Sequence, residues 1–201
     1  RNLRHELLQA CRRGAGAVAP EGQARVRQFL FGLRNADGGF RHRGSDSDLY
    51  ATAFALEALE ALGVGDFVRT RDYLTTVCTS GTLLEDASLL RAALVCNLKR
   101  PGVTTHLASA VKLLPDDDVY GRFMARVVTD DTLVSARDVD RIISSPEHAA
   151  TPVLAAALVL SSLELNHAEA GGLAALRSRF GSHGGCAAGP EVDVPDLLST
   201  A

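Results

Sequence analysis

At 201 residues, with 46% hydrophobic and 22% charged residues, the chain is long enough to bury a substantial core and too apolar to be disordered. Its net charge of −3 gives no overall electrostatic footprint for nucleic acid or an anionic membrane. No apolar run approaches the ~18–20 residues needed to cross a bilayer, so no transmembrane segment is expected.

The predicted elements are helices almost throughout, because apolar residues recur at helical spacing and strand-like alternation is scarce. In chain order they cover 2–12, 21–33, 48–62, 67–79, 85–98, 103–114, 119–129, 134–144, 151–165 and 168–180, with another starting at Asp196. The first, within RNLRHELLQACRRG, is amphipathic and does not read as a signal peptide; the missing initiator Met points to a processed or excised piece. Helices 48–62, 85–98 and 151–165 are apolar nearly all round and must be enclosed. Those at 21–33, 67–79 and 134–144 carry Arg, Gln and Asp on one face and belong between core and water. Gly63 reads as a C-cap, Pro101-Gly102 as a break, Asp116–Asp118 as caps for the helix carrying Val119, and Asp130 and Asp131 as caps for the next. Aromatics are only 5% with no Trp, and Ala and Leu dominate the apolar stretches, which favours close helix packing. The cysteines, Cys11, Cys78, Cys96 and Cys186, lack CxxC spacing and read as buried free thiols in a reducing, cytoplasmic setting, with disulfides or a metal site as the alternatives.

One unit occurs twice. Residues 27–56 and the segment from Ala175 onwards each run helix, Gly-Gly turn, polar loop, Asp-Leu and an apolar helix start. Gly38-Gly39 and Gly184-Gly185 match at an offset of 146, and Asp48-Leu49 and Asp196-Leu197 at 148. Such self-similarity marks an array of helical hairpins, open like a HEAT solenoid or closed in a ring.

Asn35-Ala36-Asp37-Gly38-Gly39-Phe40 and the junction GSDSDLYATAFALEALEALG resemble the repeats of the terpenoid cyclase and protein prenyltransferase toroid superfamily. The similarity covers residues 27–62 and 172–201, and bacterial prenyltransferase β-subunit-like proteins share the pattern. The expected fold is therefore all-α: a single domain over residues 1–201 forming an α/α toroid (α6–α6 barrel-like) of hairpins around an aromatic-lined cavity. The second copy stops in mid-motif at Ala201, so the ring is expected to be incomplete or gapped there, whether by truncation or because another chain fills it.

The resemblance also implies a site. Transferases of the family hold zinc with an Asp, a Cys two residues on and a His from another repeat, which activates an acceptor thiolate. Here Asp48 matches the Asp, but Tyr50 stands for the Cys, and Ser199 (Ala51 in the first copy) for the His, so no metal or other cofactor is expected. Arg43 matches the arginine with which family members hold isoprenoid diphosphate, and Arg41 and His42 add to the positive loop. The alternative for these arginines is a solvated loop. Asp48 is expected as an N-cap of the inner helix, with Asp46 the other candidate; Tyr50 is either a core tyrosine or a ring against an isoprenoid. Asp46-Ser47-Asp48-Leu49 lacks the last carboxylate of the cyclase Asp-x-Asp-Asp motif, and Asp116–Asp118 read as caps rather than a Mg²⁺ clamp. Glu57 and Glu60 either line the cavity or mark the helix end. Two functions follow. One is an isoprenoid-binding toroid with Arg41, Arg43, Asp48 and Tyr50 at the substrate; the other is a noncatalytic module whose rim binds a protein. Neither involves nucleic acid.

Overall fold

The computed structural model describes residues 3–42, 44–79, 81–115, 117–129, 136–162, 170–180, 186–187, 189 and 195–196. These are overwhelmingly helical: α1 (Leu3–Ala17), α2 (Pro20–Gly32), α3 (Leu49–Ala61), α4 (Val68–Thr76), α5 (Leu83–Val95), α6 (Pro101–Val111), α7 (Val119–Val128), α8 (Ala136–Ser144), α9 (Thr151–Leu160) and α10 (Ala170–Ser178). A 3-10 turn at Pro146–His148 and two short strands, β1 (Cys186–Ala187) and β2 (Pro195–Asp196), complete the set. Among the described residues no helix is long and apolar enough to cross a membrane. The chain divides into two compact units, one of residues 1–112 and 127–130, the other of residues 113–126 and 131–201.

In the first unit α3 and α5 pack side by side, with α1 and α2 against α3 and with α4 and α6 against α5. The core holds Phe40, Leu49, Ala53, Leu56, Leu59, Phe67, Leu74, Leu89 and Ala92. Residues Asp86 to Ala93 of α5 are all buried, as a helix apolar on every side requires. Both central helices end in the same way. Gly63 takes φ +77°, its N–H donates to Glu60 O (3.0 Å), and Val64 N–H reaches back to Leu59 O (2.9 Å). Asn97 does the same after α5 at φ 53°, with Leu98 N–H on Ala93 O (2.8 Å). Each is a Schellman motif, whose left-handed residue is usually Gly and sometimes Asn.

Helix ends depart from the sequence reading where a side chain captures carbonyls. α1 continues through Gly14 and Gly16 because Gln23 Nε2 donates to Ala15 O and Val18 O, both at 3.0 Å. α4 ends at Thr76, its last carbonyls collected by Arg100 through Leu74 O (2.8 Å) and Val77 O (2.9 Å). Pro101 opens α6 at the first helical position, with Gly102 inside the helix, so the expected break is an N-terminus instead. Asp118 Oδ1 accepts from Gly121 N (2.8 Å) as the expected cap; Asp116, Asp130 and Asp131 lie outside the described residues. The cysteine expectation needs correcting: Cys96 is buried, but Cys78 is exposed and Cys11 is exposed as a residue with its thiol partly covered, since both sit away from the α3–α5 seam.

In the second unit α8 packs on α9, and α10 on both. Buried Arg179 donates to Thr151 Oγ1 (3.0 Å) and to Pro146 O, tying the end of α10 to the start of α9. The sequence repeat has a backbone counterpart here. Arg41 N donates to Leu33 O (3.0 Å), and 146 residues later Ala187 N donates to Arg179 O (2.9 Å). Likewise Arg34 N to Phe31 O (3.2 Å) recurs as Phe180 N to Arg177 O (3.1 Å). The antiparallel pair Phe40–Asp48 recurs as Cys186–Asp196. Gly184-Gly185 and Leu197 onwards lie outside the described residues.

Candidate functional site

The Gly-Gly turn is a clasp. Asn35 N donates to Gly39 O (2.8 Å) and Gly38 N to Asn35 O (3.1 Å), which closes the turn after α2. Asp37 Oδ1 accepts from Gly39 N (3.0 Å) and Ser47 Oγ (2.7 Å), while Asn35 Nδ2 donates to Ser45 O (2.8 Å). Buried Thr70 of α4 donates to Gly38 O (2.8 Å), and Phe40 N donates to Thr52 Oγ1 (2.9 Å) in α3. The motif residues thus join α2, the loop, α3 and α4.

Of the residues that the resemblance assigns to the substrate, Arg41, Asp48 and Tyr50 lie around this clasp. Arg41 Nη2 donates to Gly32 O (3.0 Å), where it supplies one of the donors that the end of α2 lacks. Asp48, extended at φ −120°, accepts from Ala51 N (2.6 Å) and is the N-cap of α3. Tyr50 is half-buried on the first turn of α3, edge-on to Phe54 with centroids 4.7 Å apart. Arg43 lies outside the described residues, as does Ser199. The position-for-position donor set is an acid and a phenol, not an acid, a thiolate and an imidazole, so these residues do not fit the family's zinc site. Among the described residues no group of three or more His, Cys, Asp or Glu is placed to hold a metal.

Three arrangements were not foreseen from the sequence. Tyr50, Phe54 and Glu57 form one row on α3, and Arg91 of α5 meets it. Its Nε donates to Glu57 Oε1 (3.0 Å), its Nη2 pairs with Glu57 Oε2, and its guanidinium lies 4.3 Å from the Phe54 centroid. The lone Arg in the apolar run LLRAALVC was the available signal. Beside the row, Arg4, Leu7, Leu8, Cys11, Glu57, Glu60 and Val127 line a pocket of about 40 Å³. That is room for a few waters at roughly 10–15 Å³ each, not for an isoprenyl chain. Arg4 Nη2 closes it on Glu60 Oε2 (3.1 Å), and the Cys11 thiol is pushed up by burial and by Glu57, with Arg91 opposing. Third, Asp86, almost fully buried in α5, pairs through Oδ2 with Nδ1 of His106 on α6. Its Oδ1 has no hydrogen-bond partner, and the pairing fixes the orientation of a half-exposed imidazole.

Tyr73 packs against the clasp, where burial first, then Asp37 and Asp48, push its phenol from the ordinary 10 up to about 12. The folded state therefore holds the proton more tightly than the unfolded chain. This contribution to stability is complete below pH 10 and is lost as pH rises through about 12. Tyr73→Phe is expected to flatten the alkaline fall in urea-unfolding stability between these values and to remove a step near pH 12 from the tyrosinate absorbance titration. An unchanged titration would refute the placement.

No family model, curated protein or solved structure matches this chain.

Proposed function

We propose that the chain is a prenyltransferase- or terpenoid-cyclase-like α/α toroid that receives an isoprenoid diphosphate against its apolar inner helices. The supporting observation is the half-buried aromatic pair Tyr50–Phe54 on α3, with the Glu57-paired Arg91 guanidinium held over Phe54. Each CH₂ of an isoprenyl chain removed from water contributes about 0.8 kcal/mol, so an aromatic and aliphatic surface suffices for the tail. Arg43 is the candidate for the diphosphate. Chemistry through a zinc-bound thiolate is not part of this reading, because the donor set does not fit.

Farnesyl or geranylgeranyl diphosphate at about 100-fold over Kd is expected to raise Tm by about 5–10 °C for a domain of this size. Tyr50→Ala and Arg43→Ala should each shrink that shift, the first through the tail and the second through the diphosphate. The second reading, a noncatalytic interaction module, is favoured by the structural engagement of Arg41 and Asp48 as helix caps. No Tm shift with either lipid would leave that reading standing alone.

A further inference from the structure

The net charge of −3 conceals a division. Residues 1–43 hold nine Arg against Glu6, Glu21 and Asp37, a balance of +6; residues 44–201 hold twelve basic and twenty-one acidic residues, a balance of −9. Charge asymmetry of this size within one chain points to an acidic partner for the basic part. The fold brings part of that charge to one corner. Gln23 of α2 binds Ala15 O and Val18 O, so the last turns of α1, with Arg12 and Arg13, meet the turn of α2 that carries Arg25. Arg13 and Arg25 are exposed at this corner, while the half-exposed Arg12 guanidinium lies 3.9 Å from Glu60 Oε1.

Apolar side chains are exposed at the same corner. Every α2 residue is exposed or half-buried. Val18 lies against Gly22, where a Cβ would come within 2.7 Å of Val18 Cγ1, and Val26 and Phe29 continue that line one and two turns on. Their exposures are 44% for Val18, 43% for Val26 and 51% for Phe29, an uncovered apolar ridge beside arginines. Exposed apolar side chains beside arginines match the two layers of a bilayer interface. There phosphate headgroups meet guanidinium forks and the acyl boundary receives the apolar side chains.

We propose that the α1–α2 corner docks on an anionic lipid surface, with Arg13 and Arg25 on the headgroups and Val18, Val26 and Phe29 at the acyl boundary. The attachment is peripheral, salt-sensitive and reversible, and it is independent of what the inner helices hold. The 201-residue chain is expected to sediment with phosphatidylglycerol-containing vesicles and not with phosphatidylcholine vesicles, the bound fraction falling as salt rises. Arg13→Glu/Arg25→Glu should lower the vesicle partition coefficient at least tenfold, and Phe29→Ser severalfold, with far-UV circular dichroism unchanged. Lys99→Glu/Lys112→Glu, which changes the net charge equally at the chain's two exposed lysines, should bind like the parent. Equal loss in the lysine variant, equal binding to neutral vesicles, or no vesicle binding at low salt would each overturn the proposal. Capture by poly-glutamate or a DNA duplex without vesicle binding would overturn it in favour of an acidic macromolecule.

Discussion

Gly38→Ala is expected to destabilise the fold by about 2–5 kcal/mol, reaching the upper end for a single substitution. Two effects add. At φ +96° the residue sits where an L side chain is strained by about 1–2 kcal/mol. An added Cβ would also stand 2.2 Å from Arg69 O and 2.5 Å from Arg69 C, backbone atoms of α4 that no rotamer change can move. Relief requires α4 to retreat, which breaks the bond from Thr70 Oγ1 to Gly38 O and opens the packing around Leu74; overpacking of this kind costs about 1–3 kcal/mol. Gly39→Ala meets Ser47 Cβ (2.5 Å), Ser47 Oγ and Tyr73 Cζ, so the loop at Ser47 must shift; its φ is not positive and no helix backbone is struck, so it should be the milder change. Urea denaturation of both variants checks the order. A loss below about 1 kcal/mol for Gly38→Ala would show that α4 does not approach the turn this closely.

Much of this fold was legible because helical periodicity is a local signal. The enclosed helices α3, α5 and α9 and the caps at Asp48, Gly63 and Asp118 lie where the sequence pattern puts them. The paired Gly-Gly motif also carried information, since backbone bonds around Leu33 recur around Arg179. What escaped depends on partners distant in sequence. Gly14 and Gly16 read as a helix end until Gln23 supplies donors to the carbonyls beyond them. Asp86 and His106 meet only because α5 and α6 pack, and neither sits in a recognisable pattern. Arg41 reads as free positive charge in a loop; in the fold, Gly32 O takes one of its donors. Sequence position indicated which residues cluster near the turn, but not which nearby carbonyls they would satisfy.

Glu57→Gln is expected to cost about 2–4 kcal/mol, and more than Arg91→Met, although both break the same ion pair. The asymmetry follows from burial. The Arg91 side chain is 6% exposed and that of Glu57 23%. Neutralising Glu57 leaves a desolvated cation without its facing carboxylate, whereas removing the guanidinium leaves a carboxylate that water can reach. Methionine also replaces much of the lost volume and keeps a favourable sulfur contact with the Phe54 ring, so Arg91→Met should cost about 1–2 kcal/mol. The double variant should be less destabilised than the sum of the two, with a coupling of about 1.5–3 kcal/mol in a double-mutant cycle. If the pair also sets the orientation of Phe54 beside Tyr50, Arg91→Met should reduce the Tm shift given by farnesyl diphosphate beyond its own loss of stability. Additive single effects would mean that the contact is a surface pair screened by water, and the aromatic row would then lose its fixed charge.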